Sequence, residues 1–324
     1  MTPEALALAT RPHETTADPA FLTDVLAGLA RPQKAIPSKY FYDERGSRLF
    51  DAICELPEYY PTRTEGALMR RYGREMAEAL GSNALLIEYG SGSSLKTRIL
   101  LDHLHEPAAY VPVDISREHL LASAASIAAA YPGLEVRPVC ADFTQPFAVP
   151  TPRRAPWQRV VYFPGSTIGN FPKEEAGAFL KEMARVAGPG GGLLIGVDLK
   201  KDRQVLHAAY NDAAGVTADF NLNLLTRINR ELGADFNTDA FAHDARWSEA
   251  EGRIEMHLVS RRPQTVQVVG ERFDFARGES LLTEYSCKYA LDEFLALAAP
   301  AGFALRRTWV DGRGWFGVLY LVAR

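Results

Sequence analysis

The stretch that most constrains the fold runs from Ala84 to Leu104, where the apolar segment ALLIEYG gives way to SGSSLK and helical spacing resumes in TRILLDHL. That order predicts strand, tight turn and helix. Gly90 and Gly92 let the backbone turn sharply and approach a ligand, and the helix behind them offers free N–H groups. Ser91 and Lys96 are expected to contact the same ligand. A second apolar run, AYVPVDIS, carries Asp114 at its carboxyl end, where a carboxylate can accept hydrogen bonds from both ribose hydroxyls. A third expected strand, LEVRPVCADF, ends in Asp142 and Phe143, suited to the amino group and the flat face of adenine. Three consecutive strand ends thus describe a nucleoside pocket on an α/β sheet.

A dinucleotide fingerprint asks for GxGxxG, and here Gly90 and Gly92 are followed by Ser93, Ser94 and Leu95. The missing third glycine turns the reading from a nicotinamide enzyme toward S-adenosylmethionine (SAM), which uses the same strand ends without a pyrophosphate. A loop of this kind also serves as a plain strand-to-helix connection, so Asp114, Asp142 and Phe143 carry the assignment.

The chain has 324 residues, 47% of them hydrophobic, enough for one large or two smaller globular domains. Its 36 basic and 40 acidic residues give a net charge of -4, no general electrostatic reason to bind nucleic acid or an anionic membrane. The three cysteines, Cys54, Cys140 and Cys287, show no CxxC spacing, so neither a disulfide framework nor a zinc site is expected, and no metal. No secretory signal or membrane span is read, and a monomer in a reducing cytoplasm is the expected setting. His103 and His105 are expected on the solvated side of the helix after the loop.

Residues 1–19 read as a loose arm, followed by one helix in AFLTDVLAGLARP. Ile36 to Glu65 is dense in aromatics, with GSRLFDAICEL helical in period, so that Tyr42 and the Tyr59-Tyr60 pair flank one short helix. REHLLASAASIAAA is a further helix. RVVYFPGSTIGNF predicts a fourth strand breaking into a loop that faces the ligand crevice. KEEAGAFLKEMARVAGPGGGLLIGVDL adds helix, turn and buried strand. HAAYNDAAGVTADFNLNLLTRIN continues in helical spacing, with Tyr210 on it. Alternation from Arg246 to Ser280 predicts antiparallel strands, and the last 22 residues a β-hairpin.

The run YFYDERGSRLFDAICELPEYYPTRTE, followed by IEYGSGSSLKT, VPVDIS, GSTIGNF and TEYSCKY, resembles the histidine-specific Nα-methyltransferases of ergothioneine biosynthesis, from about Ile36 to the C-terminus. The resemblance implies SAM-dependent transfer of three methyl groups to the α-amine of L-histidine, giving hercynine. It implies a Rossmann-like methyltransferase sheet, residues 65–198 plus 289–324, with a smaller α+β substrate domain, residues 20–64 plus 199–288. It also implies that Gly165, Thr167 and Asn170 belong to the histidine-binding wall, that Met256 lines the imidazole pocket, and that Tyr210 reaches the substrate carboxylate with Asn170. Pro164 stands where the family is expected to have Leu.

The residues themselves fit this chemistry. Glu284 and Ser286 are one residue apart, so on an extended segment both point to one side, toward the two imidazole nitrogens. Tyr42 and Asn170 are expected to orient the amine, and Tyr59 and Tyr210 to hold the carboxylate without an arginine. Two other readings remain: methylation of another amino acid or small amine, and a catalytically silent SAM-binding or partner-binding module.

Overall fold

The computed structural model describes residues 18–92 and 95–324, so most of the expected N-terminal arm lies outside the described residues. The chain opens with α1 (Pro19–Leu29), whose first N–H groups are capped by Asp18, then α2 (Glu44–Glu55), capped by Asp43. A helix absent from the sequence reading follows, α3 (Tyr60–Leu80), with Pro61 in its first turn and Gly81 at its end. Its apolar positions, among them Leu68, Met69, Met76 and Leu80, bury one face against the sheet.

The nucleotide half alternates as expected: β1 (Ala84–Tyr89), α4 (Leu95–Leu101), β2 (Ala109–Asp114), α5 (Arg117–Ala130), β3 (Val139–Cys140), β4 (Gln158–Phe163), α6 (Lys173–Ala187) and β5 (Gly192–Asp198). The third strand is two residues long, not the ten that LEVRPVCADF suggested. Pro138 has no N–H for a ladder, and upstream only an isolated bridge joins Val136 to Tyr110. His103 and His105 are exposed but lie past the end of α4, not on it.

The Tyr210 segment forms two helices, α7 (Arg203–Tyr210) and α8 (Val216–Leu232). Asp212 breaks the run by accepting from the N–H groups of Val216 and Thr217, both at 2.8 Å, which starts α8 afresh and leaves Tyr210 as the last residue of α7. Then come β6 (Phe241–Ser248), β7 (Arg253–Ser260), β8 (Gln264–Val268), β9 (Glu271–Phe275) and β10 (Ser280–Cys287). After α9 (Leu291–Ala298), the hairpin β11 (Phe303–Val310) and β12 (Phe316–Ala323) closes the chain.

Seven strands form one sheet in the order β11-β12-β5-β4-β1-β2-β3. The five from β3 to β5 are parallel, and β12 pairs antiparallel with β5. This is a Rossmann-like α/β arrangement, with near-continuous apolar strands as double-sided burial requires. A separate antiparallel sheet, β10-β7-β6, shares a second core with α1 and α8, containing Phe21, Phe41, Phe220, Leu224, Leu258 and Leu281. No described helix is long and apolar enough to cross a membrane.

The two sheets meet at the loop after β4, whose turn Thr167–Asn170 contacts both β5 and β10. Gly169 lies so close to β10 that a Cβ there would stand 2.8 Å from the Cys287 carbonyl oxygen, which is why glycine holds the position.

Candidate active site

One cavity lies beyond the carboxyl ends of β4 and β5, and every residue that the sequence assigned to substrate lines it: Tyr42, Tyr59, Gly165, Thr167, Asn170, Tyr210, Met256, Glu284 and Ser286. Tyr42 follows a short 3-10 turn and precedes α2, whereas Tyr59 stands at the N-cap of α3. Their rings pack edge-on with Phe50, at 5.7 and 6.3 Å between centroids, and Tyr42 also meets Phe220 of α8. Tyr59 in turn meets Tyr210 at 6.2 Å. The result is an aromatic wall whose hydroxyls belong to a largely dry site.

Burial pushes the Tyr42 phenol well above its ordinary pKa, with the Glu284 charge adding to the effect. Burial does the same to Tyr59, and the neighbouring Tyr210 reinforces it. Both phenols therefore keep their protons near neutral pH.

Glu284 and Met256 are cross-strand partners of β10 and β7, which puts an acid beside an apolar thioether. Burial raises the Glu284 carboxyl to about 7 against the opposing pull of Lys288. Thr167 spends its hydroxyl hydrogen on the Pro164 carbonyl at 3.1 Å, leaving its lone pairs to the cavity.

Among the cavity-lining groups that went unread in the sequence are Asp198, Lys288, Phe220 and Phe50. Asp198 ends β5 and accepts from Lys288 Nζ at 2.7 Å, from Lys201 and from the Tyr60 hydroxyl. Burial works against its charge, but the two ammonium groups outweigh it and hold the carboxyl below its usual range. Lys201 itself is lowered to about 8 by burial, with Asp198 opposing.

The residues expected at the nucleoside lie at or just past the carboxyl ends of β1, β2 and β3 of the same sheet. Asp114, at the end of β2, accepts from the N–H of Gly92 at 3.3 Å and of Ser116 at 2.9 Å, so the loop closes over its carboxylate. Ser91 is buried beside it. Asp142 pairs with Lys39 at 3.2 Å and is capped by Thr144. Phe143 stacks on Tyr89 at 5.6 Å, and a Cβ on Gly90 would be 3.6 Å from its ring. Lys96 turns toward the cavity and pairs with Glu65 of α3, a buried residue the sequence reading had not singled out. An acid at a strand end, a glycine-rich turn and a nearby cation form a set of polar groups that fits SAM.

A profile of the histidine-specific, SAM-dependent methyltransferases matches residues 21–323. The chain belongs to that family. It is 44% identical over 319 residues to a histidine N-alpha-methyltransferase of Mycolicibacterium smegmatis, covering 97% of this chain and 98% of that one. It is 45% identical over 300 residues to the protein of the same name from Mycobacterium tuberculosis, covering 91% and 92%. Ergothioneine biosynthesis protein 1 of Neurospora crassa is 30% identical over 312 residues, which are 92% of this chain and 34% of that protein. Lys96 stands behind the glycine-rich turn, and Gly165 lines the aromatic cavity. Glu65 joins the two sides.

Proposed function

We propose that this methyltransferase moves methyl groups from SAM to the α-amine of L-histidine, three in succession, and releases the trimethylated betaine hercynine for ergothioneine formation. The observation that carries this reading is the convergence, in one cavity, of an imidazole-sized end made by Glu284, Ser286 and Met256 with a polar end made by Tyr42, Tyr59, Asn170 and Tyr210. Gly165 of that cavity lies beside Lys96: a Cβ on the glycine would be 3.5 Å from Lys96 Nζ.

SAM supplies a methyl group on a cationic sulfur that is already a leaving group. Asp114 would take its ribose, Asp142 and Phe143 its adenine, and Gly90, Ser91 and Lys96 the remainder. Catalysis then rests on aligning a neutral amine lone pair. Asn170 accepts one amine N–H through its side-chain oxygen, and the Tyr42 oxygen accepts another. Tyr59 and Tyr210 donate to the carboxylate, while Glu284 accepts an imidazole N–H and Ser286 meets the other ring nitrogen. With both wall phenols protonated, one proton departs to water before each of the three transfers, since every ammonium formed must regain its lone pair before it attacks again. The reading includes a substrate body of residues 20–64 plus 199–288 on a methyltransferase body, a monomeric state, and action in the cytoplasm on a small molecule alone.

Mass spectrometry of reactions with SAM and each natural amino acid tests it. A gain of three methyl groups on histidine alone is expected; a gain on another amino acid, or none, overturns the substrate assignment.

A further inference from the structure

Lys288 brings an ammonium group into the cavity wall at 2% exposure. Its three hydrogens have three acceptors: Asp198 Oδ2 at 2.7 Å, the Tyr210 hydroxyl at 2.8 Å and Ser286 Oγ at 2.7 Å. The two hydroxyls are themselves 2.7 Å apart. An ammonium group donates and never accepts, so neither hydroxyl can pass its own hydrogen to Lys288. One hydroxyl hydrogen is used between Tyr210 and Ser286. Among the described residues, that leaves a single hydroxyl hydrogen from the pair to offer to a ligand.

We propose that Lys288 is a positioning residue for the substrate carboxylate: it holds the Ser286 and Tyr210 oxygens as acceptors, so that Ser286 donates to Tyr210 and the polarised Tyr210 hydrogen alone turns to the carboxylate. This rests on the histidine reading above, which puts the carboxylate at Tyr210. The cation strengthens the donor it bonds to, because a hydrogen-bond chain that begins at a charge polarises along its length. Ser286 is then left with a lone pair, so that Glu284 and Ser286 together accept the two N–H groups of a protonated imidazole ring. Asp198 keeps the ammonium in place. Its backbone N–H is fixed by Ser166 Oγ at 2.8 Å and its carboxylate by the Tyr60 hydroxyl at 2.7 Å, so the anchor is the end of β5.

The test compares L-histidine with L-histidinamide, which lacks the carboxylate charge, as substrates of the wild type and of Lys288→Met. Each substrate is compared with itself across the two proteins, so its intrinsic amine reactivity cancels. For L-histidine, kcat/KM should fall about 10- to 100-fold, chiefly through KM, the range expected when a charge-assisted hydrogen bond is lost. For L-histidinamide the loss should stay under about threefold by the same argument, with SAM binding unchanged. Asp198 retains Lys201 and Tyr60 in this variant. If Lys288→Met nevertheless fails to fold, Lys288→Gln, which keeps a donor for Asp198 and loses the charge while Asp198 keeps Lys201, is read the same way. Equal losses with both substrates, or an undiminished preference for the carboxylate, would show that Lys288 only supports the fold and would overturn the proposal. A wild type that methylates neither substrate, or does not prefer the carboxylate, overturns the histidine reading itself, and this is seen before any variant is made.

Discussion

Both carboxylate oxygens of Glu65 accept the backbone N–H of Gly165, at 3.0 and 2.9 Å, while the same carboxylate pairs with Lys96. Glu65 is buried on α3, Gly165 opens the substrate loop, and Lys96 belongs to the donor side. In the proposed roles, one side chain therefore ties the donor side to the acceptor side. Glu65→Ala would leave a buried N–H and an ammonium group without their partner, at about 3 kcal/mol. Glu65→Gln keeps an acceptor for Gly165 and loses only the charge, at about 1 kcal/mol. Thermal unfolding should rank them in that order, and KM should rise for SAM and for histidine together. A rise for one substrate alone would contradict the shared role.

Glu65 also explains a glycine in the middle of a strand. A Cβ on Gly196 of β5 would stand 2.2 Å from Glu65 Oε1, and one on Gly169 would meet the Cys287 backbone. Gly196→Ala displaces a side chain, whereas Gly169→Ala pushes on β10 itself. Each should cost about 1–3 kcal/mol by overpacking. Gly169→Ala should lower kcat/KM more than its loss of stability suggests, because Asn170 and Thr167 move with it. Steady-state kinetics beside thermal melts separate the two effects.

The parts of the fold that the sequence disclosed are those set by local pattern: apolar strands, Gly-rich turns and the Ala-rich α5. The misjudged parts depend on partners distant in sequence. Tyr210 proved to be a helix end because Asp212 caps the next helix, and α3 begins at Tyr60, inside the aromatic stretch, and buries its apolar face against a distant sheet. In the site, the alternation that placed Glu284 and Ser286 on one face extends to Lys288, two residues further on, so the signal for that ammonium was present. Asp198 likewise ends β5 as Asp114 ends β2. Nothing local marked Glu65, whose two partners come from different elements.

Glu284 should make the protein less stable as its carboxyl ionises. Its pKa is about 7 in the folded chain against an ordinary 4.5, so between those values the folded state holds the proton more tightly. Stability from this group is greatest below the unfolded value, declines as pH rises through the window, and is fully lost above about 7. Glu284→Gln should thus raise stability at pH 8 by on the order of 3 kcal/mol and change little at pH 4.5. The same variant should bind histidine more weakly at pH 8, since it loses the charged acceptor, while SAM affinity holds. Denaturant melts at the two pH values and calorimetric titration with histidine check both halves; equal stabilisation at both pH values would refute the burial argument.

Tyr42 lies where a base for the amine would be wanted, yet burial and the Glu284 charge both favour its neutral form. A phenol held above its ordinary pKa is a poor proton acceptor near pH 7, so its contribution is the geometry of its oxygen toward the amine. Removing one such contact is worth about 1–1.5 kcal/mol, or roughly tenfold in rate. Loss of a true general base costs about a hundredfold or more and removes its limb from the pH-rate profile. Tyr42→Phe should therefore lower kcat about tenfold, with the profile keeping the wild-type inflections, because the titration seen is that of the substrate amine. The profile of the variant decides between the roles: a vanished limb together with a loss of more than about a hundredfold would make Tyr42 the base after all.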